Sequence, residues 1–409
     1  MFNTPSKERP HSGDAPLLRK VNESALLEII REQGPITRLD IARTLNISLS
    51  TITRIVNPLI TAGQIIERGG SDSSGGRQPS LLEYNFRSSL IISVYLGQHM
   101  IASLSDLKGT ILSRRSKLSL QGEKGLQQLI SLVESLRTEA QTLGLPLQGV
   151  CVGAQAIVTF PDGIVTWSPT LKWRNLPLKS LLEKALGLPV VVENEVNLMA
   201  LGEVWRGAGQ GFANIICLSL GDGIGSGLIL GGHLYRGSHW ASGEIGYLIP
   251  SKDYLGKIYD KYGCLENLAG SSGITHRTMV RLEAGELSIL IEKGGVIPTD
   301  LTAEQVLNAA RAGDPLANSI VAETVDLFSI TIANLISIVD PERIIISGDL
   351  AEFGDLFLGP IKQRIQGLLP TVTPEILLSE LKMDAAVLGA VAIVMRHTSD
   401  AVFIQSYRA

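Results

Sequence analysis

Two groups of residues in this 409-residue chain have the types and spacing to do chemistry. The first follows Val190-Val191-Val192, a β-branched run with the texture of a buried parallel strand. It opens into Glu193-Asn194-Glu195-Val196-Asn197 and then a helical pattern that Gly207 stops. Ligands of open α/β sheets collect at the carboxyl ends of strands, so Asn194 and Glu195 stand where a site is expected. Further on, Gly221-Asp222-Gly223-Ile224-Gly225-Ser226-Gly227 puts glycine at every second position. Such a run lets backbone amides face a phosphate, and it is equally a tight hairpin free of side chains. Glu244, in Gly243-Glu244-Ile245-Gly246-Tyr247, and Glu266, in Gly263-Cys264-Leu265-Glu266, add carboxylates beside apolar, glycine-rich turns. Glutamates in such turns are more often solvated surface acids than ligands.

The second group lies near the N-terminus, where Ser50, Thr53, Arg54 and Asn57 fall opposite an apolar stripe of Ile52, Ile55, Val56, Leu59 and Ile60. Arginine reads guanine and asparagine adenine in a major groove, whereas any amphipathic surface helix shares the stripe. The surroundings favour the groove. Thr37 and Asp40 open a preceding short helix, Asn46 stops it through a positive φ, and Ser48 caps the next. Arg38, Ser48 and Thr51 complete the residues expected at DNA. Residues 64–67 and 81–84 read as strands of a wing whose tip, Gly75-Gly76-Arg77, suits a narrow minor groove; a domain linker has the same composition. Pro58 removes an amide donor and should kink the reading helix past its groove-facing half.

The elements that must position these groups follow from pattern. Residues 17–31 form a helix that supports the pair above, giving a DNA-reading domain over residues 1–84 and a joint at 85–89. Beyond it, strands at 90–96, 100–104 and 110–118, a helix at 125–143, and short apolar runs at 150–153, 190–193, 215–220 and 343–346 give α/β texture. A long helix over 316–339 and a closing helix from 384 complete it. The net charge of -4 excludes a global basic field, so nucleic acid must be met locally and through a dimer. Three scattered cysteines without CxxC spacing suit a reducing cytosol, and the polar N-terminus has no signal core; a cytoplasmic protein that does not enter a membrane is expected.

The winged unit, the run from Val192 to Glu203, the glycine loop, and Leu234-Tyr235-Arg236-Gly237 leading to Gly243-Glu244-Ile245-Gly246 together resemble the ROK family of repressors and sugar kinases, in particular its xylose, glucose and N-acetylglucosamine regulators. The resemblance implies an α/β fold: an N-terminal winged helix-turn-helix followed by a two-lobed, actin-like, sugar-kinase-like domain. Its lobes would span residues 85–198, with a C-terminal helix at 384–409 returning to them, and 199–383, holding the ligand cleft and dimer contacts. It implies a homodimer or dimer of dimers on a palindromic operator, with a sugar or sugar derivative as effector. Asn194 and Glu195 match the family's sugar-binding and catalytic pair, and Glu244 and Glu266 match carboxylates that hold sugar hydroxyls.

The departures from the family pattern bear on enzymology. The kinases' Asp-x-Gly-Gly-Thr phosphate loop is here Tyr95-Leu96-Gly97-Gln98-His99, and the catalytic aspartate is Glu195. One extra methylene misplaces a carboxylate enough to cost about a hundredfold. No catalytic residue is therefore expected. Of the family's zinc ligands only Cys264 remains, with Tyr247 at the histidine position, so neither zinc nor another cofactor is expected; Tyr247 would instead offer the sugar a hydroxyl or a face. Thr170 replaces an asparagine common in the kinases. A sugar kinase carrying a DNA-binding domain, and a regulator answering to a protein partner, are the alternatives.

Overall fold

The computed structural model describes residues 15–69, 80–259, 262–292, 295–368 and 373–398. At the N-terminal end, helices Ala15–Gln33, Arg38–Leu45 and Leu49–Thr61 pack on a three-stranded sheet, with Leu81–Tyr84 central between Ile36–Thr37 and Ile65–Arg68. The starts of the last two helices and the turn between them follow from their residues. Thr37 accepts from the Asp40 amide, Asn46 takes φ 52°, and Ser48 accepts from the Thr51 amide. Leu26, Ile30, Ile41, Ile52, Val56, Ile65 and Leu82 close a separate small core. Pro58 stands inside the reading helix, which continues to Thr61.

The joint is bonded to both sides. The Asn85 side chain donates to the Gly63 carbonyl at 2.8 Å, and the Leu107 amide donates to the Phe86 carbonyl at 2.9 Å.

Two five-stranded sheets follow. The first runs Val190–Asn194, Leu147–Ala154, Leu90–Leu96, His99–Asp106, Ile111–Leu118, and its first three strands are parallel. Asn194, Ala154 and Leu96 lie in register at their carboxyl ends. The second runs His233–Tyr235, Ile224–Leu230, Ile215–Leu220, Arg343–Ser347, Glu375–Leu378, the last three parallel. A smaller sheet of Ile157–Thr159, Ile164–Ser168 and Trp173–Leu176 is inserted in the first half. The helix Pro315–Val339 is long and apolar enough to cross a membrane. Here Leu316, Ile320, Val325, Phe328, Ile332 and Ile336 are buried in the core behind the second sheet.

A third core lies between the two large sheets. Ile91, Cys151 and Val191 from the first face Ile215, Cys217 and Ile345 from the second, with Leu198, Met199, Ala390 and Val394 between them. The helices supplying the filling are Glu195–Arg206 and Asp384–Thr398. They approach closely because glycine permits it: a Cβ on Gly202 would stand 1.9 Å from the Ala385 carbonyl oxygen, and one on Gly389 1.9 Å from that of Leu198. A lobe division between residues 198 and 199 thus falls inside a continuous helix, because that helix buries side chains against both sheets.

Candidate functional site

The strand ends create the site. Gln98, Gln155 and Glu195 each sit just past the carboxyl end of one of the three parallel strands of the first sheet, and Ser219 and Asp222 lie at the corresponding end of the second. All five line one cleft of about 680 Å³, together with Asn194, Glu244, Tyr247 and Glu266. The five residues expected at a ligand, from three separate stretches of sequence, are therefore brought together.

Asn194 caps the helix Glu195–Arg206: its Oδ1 accepts from the amides of Val196 and Asn197 at 2.9 and 3.1 Å, and its Nδ2 donates to the Ala156 carbonyl. That fixes the first turn and directs Glu195 to the cleft floor. Glu195 is 8 % exposed, and its Oε2 has no hydrogen-bond partner within the protein. Burial raises its pKa, and the charges of Glu244 and Glu266 raise it further against the pull of its own backbone amide. Burial also raises Glu244. Glu266 accepts from the Ile224 amide at 3.3 Å, yet burial, Glu244 and Asp222 push its carboxyl up to about 7. Burial, then Glu244 and Glu266, raise the Tyr247 phenol, while a hydrogen bond from the Trp167 side chain lowers it. A carboxyl that burial keeps protonated can donate as well as accept, which suits the mixed demands of hydroxyl groups.

The glycine run between residues 221 and 227 is a hairpin in which Gly227 answers to packing, while Gly223 and Gly225 line the cleft. A Cβ on Gly227 would lie 2.6 Å from the Val196 carbonyl oxygen, so the strand can sit against the helix that carries Glu195. Glu193, near the end of the strand, is 1 % exposed and works inside the protein: Arg236 pairs with it at 2.7 Å, and the Asn197 side-chain Nδ2 donates to it at 2.9 Å. At the position of the kinases' phosphate loop, residues 97–99 make a hairpin turn, with the Gly97 amide donating to the His99 carbonyl. Gln98 lines the cleft, and the Tyr95 hydroxyl accepts from Gln155 at 2.8 Å. Cys264 is buried, with its Sγ 3.8 Å from the Tyr259 hydroxyl.

Trp167, Lys172, Ser271 and Thr275 also line the cleft and were not anticipated. The turn Phe160-Pro161-Asp162-Gly163, with Gly163 at φ 63°, was the available signal for the hairpin that carries Trp167. Likewise, Thr302 and Gln305 form a capping box, which announces the helix Ala303–Arg311 at the cleft edge.

On the N-terminal unit, Ser50, Arg54 and Asn57 are exposed on one side of the reading helix, opposite buried Ile52, Ile55, Val56 and Leu59. Thr53 is partly buried and its hydroxyl donates to the Leu49 carbonyl. The Ser48 hydroxyl bonds with those of Ser50 and Thr51 at the helix start. Arg38 is engaged in both directions, donating to both oxygens of Glu67 and to the Ser80 hydroxyl. That contact, with help from Ser80, holds the Glu67 carboxyl down at about 2 and ties the first helix of the motif to the wing. Arg77 lies outside the described residues.

A family model described as ROK family matches residues 91–397. The chain belongs to the ROK family. A second model, described as winged helix-turn-helix DNA-binding, matches residues 21–66. Among ROK relatives, the xylose repressor of Caldicellulosiruptor bescii is 30% identical over 391 residues, covering 94% of this chain and 97% of that protein. The glucokinase of Halalkalibacterium halodurans is 36% identical over 251 residues, covering 59% and 74%. A solved ROK family transcriptional regulator, described as a homolog of the E. coli MLC protein, has TM-score 0.78 at 26% identity and covers 93% of this chain and 99% of its own. A Streptomyces griseus ROK glucokinase in complex with glucose and AMPPNP has TM-score 0.65 at 28% identity, covering 75% and 100%.

Proposed function

We propose that this ROK protein is a DNA-binding repressor whose operator affinity is set by a sugar or sugar derivative held by Asn194, Glu195, Glu244, Tyr247 and Glu266. The observation that carries the reading is the convergence of those five residues on one cleft, in a chain that also has a complete winged helix-turn-helix core. The full-length likeness to a xylose repressor supports the repressor role. Ser50, Arg54 and Asn57 would meet base edges, and Ser48, Thr51 and Thr53 would set the helix start against the backbone. Arg38 would reach a phosphate only by loosening its hold on Glu67. Two copies on a palindrome would double the local contact that a chain of net charge -4 needs. The effector acts by preferring one arrangement of the lobes, so its influence is bounded by its difference in affinity between the two.

We infer further that the chain does not transfer phosphate. Gln98 occupies cleft space where a phosphate loop needs bare backbone, and Glu195 replaces the shorter acid. A structural zinc would lack ligands, since Tyr247 and a buried Cys264 beside Tyr259 occupy the relevant positions. Fluorescence anisotropy on operator DNA, titrated with sugars, tests the reading: one sugar should shift the operator curve while a random duplex stays unaffected. A sugar-dependent release of ADP would instead make the chain a kinase.

A further inference from the structure

The cleft has room for more than one sugar ring. A hexose has about twelve heavy atoms, and even at the roughly 30 Å³ that each water takes in the liquid they fill about 360 Å³. The cleft offers about 680 Å³. Its charge narrows what can fill the remainder. Among the described lining residues Glu195, Asp222, Glu244 and Glu266 face a single cation, Lys172. A phosphate group entering there finds no arginine among the described lining residues to clamp it.

The two ends of the space differ in character. At the floor, the buried Oε2 of Glu195 has no partner and awaits a hydroxyl donor. Toward the mouth stand Trp167, Thr170, Lys172 and Gln121. The Arg174 guanidinium lies 4.7 Å from the Trp167 ring centroid and steadies it. A rigid aromatic with amide, hydroxyl and ammonium groups around it suits the apolar C–H face and the hydroxyl rim of a pyranose.

Resting on the sugar-effector reading above, we propose that the cleft takes an unphosphorylated disaccharide, one ring seated among Glu195, Glu244 and Glu266 and the second against Trp167. The test is calorimetric titration of the full-length protein with glucose, xylose, their α- and β-1,4-linked disaccharides, glucose 6-phosphate, and ATP with magnesium. One disaccharide should bind at least tenfold more tightly than its constituent monosaccharide, and glucose 6-phosphate more weakly than glucose. Trp167→Ala should remove that advantage while leaving monosaccharide affinity within about twofold, and Trp167→Phe, which keeps an aromatic face, should retain most of it. A monosaccharide that binds as tightly as the disaccharide containing it, or a Trp167→Ala variant that weakens both equally, overturns the two-ring site and leaves the sugar reading standing. Tight ATP binding also overturns it, by giving the extra volume to a nucleotide. Binding of no sugar at all removes both.

Discussion

Replacing Glu266 with glutamine should stabilise the protein at pH 8 and make no difference near pH 4.5. Glu266 is 9 % exposed, and its carboxyl sits at about 7 because burial, Glu244 and Asp222 disfavour its charge. In the unfolded chain it returns to about 4.5. Between those values the folded form holds a proton that the unfolded form has lost, so this group's contribution to stability declines as pH rises through the window and levels off above about 7. The gap, at about 1.36 kcal/mol per pH unit, makes the ionised native state about 3 kcal/mol costlier than the neutral one. Glutamine is neutral throughout and its amide oxygen can still accept from the Ile224 amide. Melting curves of both proteins from pH 4.5 to 8.5 should therefore diverge upward with pH, by a few degrees at the alkaline end. Glu195 and Tyr247 feel the Glu266 charge, so the difference curve reports position 266 together with its coupling to these neighbours. A gap that is constant across pH, or a variant less stable at pH 8, would show that the carboxyls are not crowded as described.

Arg54→Ala should lower operator affinity by about 1–3 kcal/mol while random-sequence binding changes little; equal losses on both duplexes in anisotropy titrations would remove Arg54 from base reading. Glu244→Ala should abolish the effector response and leave effector-free operator affinity intact, so a variant that still releases DNA at the same sugar concentration places the ligand elsewhere. Gly389→Ala should destabilise by at least about 1–3 kcal/mol, because its methyl would meet the Leu198 carbonyl in a packed interface; an unchanged denaturation midpoint would mean that the two helices separate easily.

Local motifs were legible in the sequence and shared surfaces were not. The caps at Thr37 and Ser48, the positive φ at Asn46 and the strand Leu81–Tyr84 depend on near neighbours, and the structure has each where the pattern puts it. Asn194 and Glu195 were found because they stand at a strand exit, whereas Glu244, Tyr247 and Glu266 were picked out by the family resemblance. Trp167 was missed because its strand is five residues long and belongs to a sheet of three short strands, which gives periodicity little to work on. The alternating glycines admit two readings in sequence, a phosphate cradle or a tight hairpin free of side chains; the approach of Val196 accounts for Gly227, while Gly223 lines the cleft. Nor could composition reveal that Arg38 is held by Glu67, a partner 29 positions away.

The order in which the chain is written separates its two tasks. The core of the N-terminal unit draws on residues between Leu26 and Leu82, so everything it needs is made early. The floor of the cleft depends on the helix that begins at Glu195, and that helix is backed by Asp384–Thr398, against which it is keyed at Gly202 and Gly389. Sensing is therefore completed by residues synthesised some three hundred positions after the reader. A chain cut before residue 384 would retain an intact N-terminal core while losing the support behind Glu195. Its expected behaviour is residual DNA affinity that no sugar relieves, and comparing operator binding by such a truncated chain with and without sugar would reveal whether reading and sensing can be parted by a single cut.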